Sequence, residues 1–204
     1  MRWRLLLVFC VVLIAGAKCT EVDVTDPKIA MVMTELNTEW RTGYSAMLDE
    51  IGTRHFRMDR AAAFKGMQSV LQDLGFAILM TEGDYYLRVN IPAHTMFTKN
   101  EWEEIRTHDE PGMRAIATKH LGLKGNLARL EPEGLQIDGV VTMLARGDGV
   151  DISITFRLKE IKEPPPESVL PRREYPPPFA ARQGYVKIWE RFERLVLPMT
   201  GLRG

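Results

Sequence analysis

The stretch TRHFRMDRAAAFKGMQSVLQDLGFAILM, residues 53–80, decides the fold. Its first residues, 53–58, are predicted to form a short strand, and Asp59 then supplies a carboxylate that accepts the free amides of a first helical turn. Gly75 is expected to end the helix, because glycine adopts the left-handed backbone of a helix C-terminus without steric cost. The apolar residues between these two points recur at steps of three and four and therefore share one face. They are Phe64, Met67, Val70, Leu71 and Leu74.

A hairpin is predicted directly after this helix. Phe76, Ile78 and Met80 alternate with other residues, a turn follows at residues 82–84, and a second alternating run ends at Ile91. Because the side chains of a strand point to alternate faces, the two runs give the hairpin one apolar face. The preceding helix can bury its own apolar face against it.

Two longer strands are predicted in the second half of the chain. Residues 135–144 are rich in Val, Ile, Leu and Met, RGDG at 146–149 is a turn signal, and residues 150–158 alternate between apolar and polar types. We therefore predict the α+β class, as a two-layer sandwich in which two amphipathic helices cover a largely antiparallel, four-stranded sheet. The polar residues between 151 and 157 are expected to face solvent or a partner.

A proline-rich connector leads into the second helix. Residues 164–178 contain seven prolines, a composition that favours extended polyproline geometry and keeps the segment out of a sheet interior. We interpret it as a plain connector, and a binding segment for a proline-recognising groove is the alternative. The helix is then predicted from Gln183 to Leu197. Its apolar face consists of Tyr185, Ile188, Trp189, Phe192, Leu195 and Val196.

The chain before the first strand is predicted to be separate from the domain. Residues 19–52 form an N-terminal helical or linker segment in this interpretation, because Asp26-Pro27 resembles a capped helix start. Gly43 is expected to interrupt that helix. Residues 53–204 then form a single α+β domain.

An insertion is predicted between the hairpin and the third sheet strand. It covers residues 95–134 and is expected to be helical. Asn100 with Glu103 resembles a capping box that opens one helix. Pro111 is expected to start another helix, which Gly122 ends.

The N-terminus has the three parts of a secretory signal. Arg2 and Arg4 give a positive start, residues 5–14 are apolar, and Ala15-Gly16-Ala17 provides the small residues that signal peptidase accepts. The apolar run is shorter than the roughly 20 residues that a transmembrane helix needs, so a retained anchor is the less favoured interpretation. Residues 1–18 are therefore predicted to be a signal peptide.

Cys19 is the candidate lipidation site. A bacterial lipoprotein signal has an aliphatic residue three positions before the cysteine and a small residue directly before it, and Gly16 and Lys18 both depart from this pattern. Cleavage after Ala17 would instead give a product that starts at Lys18. Because Cys10 leaves with the signal, the mature chain has no internal disulfide, which favours a bacterial envelope over an extracellular eukaryotic setting. Lipidation and simple cleavage both stay open.

Length and charge narrow the function classes. The chain has 204 residues and a hydrophobic fraction of 45%, which suits one domain with its own core. The formal net charge is zero, and residues 1–18 contain three basic residues and no acidic one. The mature chain is therefore slightly acidic, and no basic surface for nucleic acid is implied.

No catalytic or cofactor signature is present in the sequence. The nucleophile motif G-x-S-x-G, the phosphate-binding motif G-x-x-x-x-G-K-[ST] and the dinucleotide fingerprint are all missing. His55, His94, His108 and His120 are the candidate metal ligands or bases, yet none has the paired spacing of a zinc helix. A surface or structural role is favoured for each. We therefore predict no catalytic, metal-binding or cofactor-binding residue.

Three phrases of the sequence carry a family resemblance. They resemble segments of a group of bacterial envelope lipoproteins. The three segments are RHFRMDRAAAFKGMQSVLQDLGFAI, GVDISITFRLKEI and YVKIWERFERLVL. Their helix-on-sheet order is similar to the helix-grip architecture of the BamC-like lipoproteins of the outer-membrane β-barrel assembly machine. The likeness covers residues 53–91 and 135–197, and its matching positions are packing positions. It implies a structural or binding function in the cell envelope, without a cofactor.

Three functions are weighed from these observations. The leading expectation is a non-enzymatic envelope protein on the periplasmic side, an outer-membrane lipoprotein or a soluble periplasmic protein, that binds an envelope protein partner. The alternative is a carrier, since a helix-grip fold can leave a cavity for a small apolar or lipid ligand. Large residues are expected to fill that space instead, namely Phe64, Phe156, Trp189 and Phe192. The third is an enzyme whose insertion, residues 95–134, forms the rim of an active site.

Overall fold

The fold is described by a computed structural model for residues 26–162 and 175–200. It is an α+β fold, as predicted, with an antiparallel sheet. The strands are β1 (Thr53–Phe56), β2 (Ala77–Glu82), β3 (Tyr86–Pro92), β4 (Leu135–Arg146) and β5 (Gly149–Glu160). The helices are α1 (Pro27–Ile51), α2 (Arg60–Asp73), α3 (Lys99–Leu121) and α4 (Pro178–Thr200), and short 3₁₀ turns cover Ala93–Thr95 and Gly122–Leu127. No helix within the described ranges is long and apolar enough to cross a membrane.

The sheet has five strands in the order β1-β5-β4-β3-β2, where four were expected. The additional strand is β1, which pairs with β5 at one edge from Thr53↔Ser153 to Phe56↔Val150. The sequence pattern predicts this short strand but contains no signal for its partner, because the pairing joins residues about a hundred positions apart. Four helices, instead of two, accompany the sheet.

The helix α2 follows the prediction closely. An oxygen of the Asp59 carboxylate accepts a hydrogen bond from the Ala62 amide at 3.1 Å. After the helix, Gly75 has a φ of 92°, and the Phe76 amide donates back to the Leu71 carbonyl at 2.9 Å. This is the expected glycine-dependent end of a helix.

The strand β2 contains a bulge that reverses part of the predicted alternation. Ile78 lies opposite Val89, and Met80 lies opposite Arg88, so Leu79 has no partner position in β3. Because one extra residue changes the face of every following side chain, Met80 points to the open face of the sheet and is 40% exposed. The prediction that Met80 shares the buried face of Ile78 is wrong.

The insertion contains one long helix, α3, where two were predicted. Pro111 lies inside α3 and does not start a second helix. The capping box lies two residues earlier than predicted, since Thr98 and Glu101 exchange side-chain and backbone hydrogen bonds. A proline removes one amide donor and disfavours a helix interior, but it does not prevent a helix whose flanking turns are well packed. The predicted end at Gly122 is confirmed.

The helix α1 is continuous from Pro27 to Ile51, and Gly43 does not interrupt it. The absence of a side chain at Gly43 serves packing instead, because a Cβ there would come within 2.9 Å of Cγ of Pro178 at the start of α4. The inward face of α1 belongs to the same core as the sheet. Its members in that core are Val32, Leu36, Trp40, Tyr44 and Met47.

Two buried tyrosines complete the hydrogen bonding of β5 beyond the end of β1. The Phe156 amide donates to Oη of Tyr44 at 2.6 Å, and Oη of Tyr185 donates to the Ile154 carbonyl at 2.8 Å. The two hydroxyl oxygens are 3.1 Å apart, and Tyr44 is the donor, because Tyr185 has already used its only hydrogen. Burial raises the pKa of both hydroxyls above the ordinary tyrosine range, so they stay protonated.

Candidate functional site

The candidate site is an apolar pocket between one end of the sheet and the helices. Its volume is about 50 Å³, and it is partly open to solvent. Almost all of the surface inside it belongs to carbon and sulfur atoms. The pocket is lined by β4 and β5, by the N-terminal ends of α3 and α4, and by the segments that precede them. The apolar side chains used below are Phe76, Phe97, Trp102, Leu130, Phe156 and Ala181.

The pocket exists because α4 has small residues in its first turns and large residues after them. Its first turns present Ala180, Ala181 and Gly184 to the pocket. One turn later it presents large side chains such as Trp189, which is fully buried. The small residues leave space beside the sheet, whereas the large residues fill it. The sequence predicts this filling for the C-terminal half of α4.

Sequence reasoning missed the small residues because it started α4 too late. The helix begins at Pro178, not at Gln183. The spacing of residues 177, 180, 181 and 184 continues the predicted apolar face backward by helical steps, so this signal was available. Leu195, predicted on the same face, is 40% exposed.

The floor of the pocket is an aromatic pair on the sheet. Phe156 of β5 stacks on Phe76 with ring centroids 5.9 Å apart. The Phe156 ring lies over Gly139 of β4, where a Cβ would come within 2.7 Å of the ring. Glycine at 139 therefore allows the ring to lie flat across the neighbouring strand.

The wall on the α3 side is built around Trp102. Its ring packs edge-on against Phe97 with centroids 5.3 Å apart. Its Nε1 is buried and has no hydrogen-bond partner among the described residues. Lys187 of α4 fixes this corner, since its Nζ donates to the Met96 carbonyl at 3.1 Å and to the Glu101 carboxylate at 3.0 Å.

A carboxylate from α3 caps the start of α4 beside the pocket. The amides of Phe179 and Ala180 donate to the two oxygens of Asp109 at 3.2 and 3.1 Å. The residue at the capping position of α4 itself is Pro177, whose carbonyl accepts from Ala181, and proline has no acceptor side chain. Asp109 therefore performs the capping role from a different helix.

The surroundings of Asp109 affect its pKa in opposite directions. Burial raises the pKa of this carboxyl, and the two α4 amides and His108 counteract the shift only in part. His108 also stacks on Phe179 with ring centroids 4.0 Å apart. His108, a candidate metal ligand from the sequence, thus helps to hold the start of α4.

The pocket wall at Leu130 is held by a buried glutamate on α3. Glu110 is only 8% exposed and accepts hydrogen bonds from the Leu130 amide at 3.0 Å and from Arg114 at 2.6 Å. Arg106 donates to the Leu130 carbonyl at 3.2 Å, and Arg114 to the Ala128 carbonyl at 2.9 Å. These bonds fix the extended segment against α3.

The rim of the pocket carries charge. Arg157 of β5 lies over the ring of Tyr175, with its guanidinium carbon 4.7 Å from the centroid. Glu131 also lines the pocket. The lining therefore includes two charged residues, whereas most of its other members are apolar.

The histidines predicted as candidate metal ligands are not brought together. His94 is exposed in the 3₁₀ turn, His108 stacks on Phe179, and His120 Nε2 donates to the carboxylate of Glu35 in α1 at 2.7 Å. Twelve residues of helix, about 18 Å, separate His108 from His120. Within residues 26–162 and 175–200, no three His, Cys, Asp or Glu side chains are arranged to hold a metal ion.

His55 belongs to a charged cluster at the β4–β5 turn. Its Nδ1 lies 2.7 Å from Asp151, and its Nε2 lies 3.4 Å from Asp148. Hydrogen bonds from His55 and Arg146 lower the pKa of the Asp151 carboxyl. The cluster joins β1 to β5 through side chains, which is a structural role.

Some predicted features lie outside the described residues. Cys19 and the signal peptide at 1–18 do, as do residues 163–174 of the proline-rich connector. The described end of the connector reaches the pocket, which Pro176 and Pro177 line.

Comparison with known proteins finds no match for the chain among family models, curated proteins or solved structures. The resemblance to envelope lipoproteins therefore stays a prediction, based on the phrases quoted for it.

Proposed function

We propose that the chain is a non-enzymatic protein of the bacterial cell envelope whose domain binds a partner protein. In this proposal the pocket receives one apolar side chain of the partner. The observation that carries the proposal is the pocket itself, a partly open space with an apolar lining beside the start of α4. The N-terminal sequence supports export, and Cys19 supports attachment to a membrane.

The size of the pocket favours a side chain over a lipid. Its volume is about 50 Å³, one third of the roughly 150 Å³ of an engineered apolar cavity that binds benzene. A branched aliphatic group fits such a space, whereas a long acyl chain does not. Apolar side chains inserted into well-formed pockets often supply a large share of the free energy of protein association.

The arrangement around the pocket suits recognition. The capping of α4 by Asp109 and the bonds from Lys187 hold two walls in place before binding. A pre-formed site loses less conformational entropy when a partner binds. Arg157 and Glu131 at the rim can orient a polar or charged segment around the inserted group.

A carrier for a small apolar ligand is the second candidate. The lining, which is almost free of polar atoms, favours it. The volume limits such a ligand to a few non-hydrogen atoms. Native mass spectrometry of the purified chain tests this candidate, because a carrier retains a bound small molecule and a side-chain receptor does not.

Filling the pocket tests the leading proposal. We expect Ala181→Leu to place a side chain in the pocket and to abolish recovery of a partner that the unmodified chain captures from envelope extract. Ala62→Leu is the matched control, since Ala62 is exposed on α2. A partner recovered equally with all three chains would contradict the proposal.

The location is tested separately at the N-terminus. Mass spectrometry of the mature chain distinguishes a lipid on Cys19 from a free start at Lys18. Either product is consistent with an envelope protein, whereas an unprocessed chain in the cytoplasm is not.

A further inference from the structure

Two leucines of the 3₁₀ turn Gly122–Leu127 are strongly exposed. Leu123 is 87% exposed and Leu127 is 66% exposed. The turn packs closely on the end of α3, because a Cβ on Gly125 would come within 2.3 Å of the Thr118 backbone nitrogen. The turn thus holds the two leucines outward.

A third exposed apolar residue, Met31, lies near the start of α1. Lys119, near the end of α3, donates to Glu35 at 2.8 Å, so the start of α1 and the end of α3 lie at the same end of the molecule. Met31 lies one helical turn before Glu35, on the same face of α1, and is 54% exposed. We call Met31 and the two leucines, Leu123 and Leu127, the apolar tip.

Nearby basic residues and the sequence position of Cys19 indicate which surface the apolar tip contacts. Lys124 lies beside Leu123 in the turn, and Lys28 lies in the first turn of α1, both exposed. Cys19 precedes Asp26, the cap of α1, by seven residues, which span at most about 25 Å. A lipid on Cys19 would therefore hold this end of the domain close to a bilayer.

We propose that the apolar tip contacts the surface of a lipid bilayer directly. Its apolar side chains enter the headgroup region, and Lys124 and Lys28 lie beside anionic headgroups. This proposal rests on the proposed envelope function. Membrane binding by a protein surface increases with the apolar area it buries and with its attraction to anionic lipids, so the apolar tip would add to any attachment through Cys19.

The test measures vesicle binding without the lipid anchor. The full chain with Cys19→Ala is exported and purified, and mass spectrometry identifies its first residue. It is then sedimented with vesicles of phosphatidylethanolamine and phosphatidylglycerol. We expect binding that falls about tenfold when Leu123→Ser and Leu127→Ser are combined, because two leucines no longer leave water.

Matched variants separate the tip from unspecific effects. Leu144→Ser removes a leucine that is also 66% exposed, near the β4–β5 turn, and is expected to leave vesicle binding unchanged. Lys124→Glu is expected to weaken binding about fivefold or more to anionic vesicles. The result for Lys124→Glu is independent of any effect that the two serine substitutions have on the structure of the turn.

Three results would overturn the proposal. They are no vesicle binding by the Cys19→Ala chain, equal losses for the tip and Leu144 variants, and a dimer that the tip variants dissociate in the absence of vesicles. The last result would assign the tip to a second copy of the chain. Ala181→Leu should leave vesicle binding unchanged, so failure of the tip and failure of the pocket are distinguishable.

Discussion

At the scale of single residues, two tyrosine hydroxyls and a glycine decide the local structure of β5. Tyr44 and Tyr185 satisfy an amide and a carbonyl that β1 is too short to reach. Gly139 gives the Phe156 ring its place on the neighbouring strand. Sequence patterns predict that Tyr185 and Phe156 lie on apolar faces, but they do not predict which backbone groups the tyrosine hydroxyls bind.

The role of Tyr44 predicts a clear loss of stability on removal of its hydroxyl. Tyr44→Phe leaves the buried Phe156 amide without an acceptor, and we expect the free energy of unfolding to fall by about 1–3 kcal/mol. Tyr85→Phe is the control, because its hydroxyl bonds to Glu82 in an exposed turn. Urea unfolding measures both, and equal effects of the two variants would refute the bridging role.

The packing at Gly139 predicts opposite results for two glycines. Gly139→Ala places a Cβ within 2.7 Å of Phe156 and should destabilise the fold by about 1–3 kcal/mol. Gly184→Ala places a Cβ at 3.6 Å from Met96, an ordinary contact, and should stabilise α4 by about 0.5–1 kcal/mol. Thermal unfolding distinguishes them, and a neutral Gly139→Ala would contradict the account.

The ion pair between α1 and α3 predicts a dependence on pH. Hydrogen bonds from Lys119 and His120 lower the pKa of Glu35 below 4.5. A carboxyl with a lowered folded pKa stabilises the fold above its unfolded pKa, and this contribution is lost as the pH falls through the folded pKa. The stability advantage of the wild type over Glu35→Gln should therefore shrink below pH 4.5, as urea unfolding at several pH values can check. A constant difference would exclude this linkage.

At the scale of helices and strands, the sequence predicts the middle of each element better than where the element ends or which strand it pairs with. The apolar periodicity of α2 and the alternation of β5 are confirmed because burial of one face determines them. The sequence pattern predicts the start of α4 too late, because Pro178 belongs to the proline-rich connector in that prediction. The start of α4 has no capping side chain of its own. Asp109, about seventy residues earlier in the chain, accepts the hydrogen bonds of its first amides instead.

The proline inside α3 predicts a gain in stability on its replacement. Pro111 is exposed and leaves one carbonyl of the helix without its usual amide donor. Pro111→Ala should raise the free energy of unfolding by about 1–3 kcal/mol, less than the full helix penalty because proline also restricts the unfolded chain. Pro27→Ala, at the first turn of α1, should have little effect. A loss of stability at Pro111 would show that the helix requires this proline.

At the scale of the whole molecule, α3 connects the two proposed contact regions. Trp102 lines the pocket near one end of the helix, and the apolar tip follows its other end at Leu121. The distance along the helix is about 30 Å. A domain that contacts the bilayer through the tip would therefore present the pocket well away from the membrane surface.

The candidate site could be predicted only in part from the sequence. The sequence allows a cavity between helix and sheet as an alternative, but it predicts that Phe156, Trp189 and Phe192 fill that space. The pocket's size depends on where Ala180, Ala181 and Gly184 lie relative to Gly139 and Trp102, which only the assembled fold determines. The histidines form no metal site among the described residues, because His55, His108 and His120 each contact a different neighbour. His94 is exposed in its turn.

The most direct test of the central claim is site-specific photo-crosslinking in the native envelope. A photoreactive amino acid replaces Arg157 at the pocket rim, and Leu144, about 20 Å away along the strand direction, serves as the control position. We predict one discrete protein adduct from position 157 that disappears when Ala181→Leu fills the pocket. No adduct from position 157, or an adduct that persists with Ala181→Leu, would contradict the claim that the pocket receives a partner's side chain.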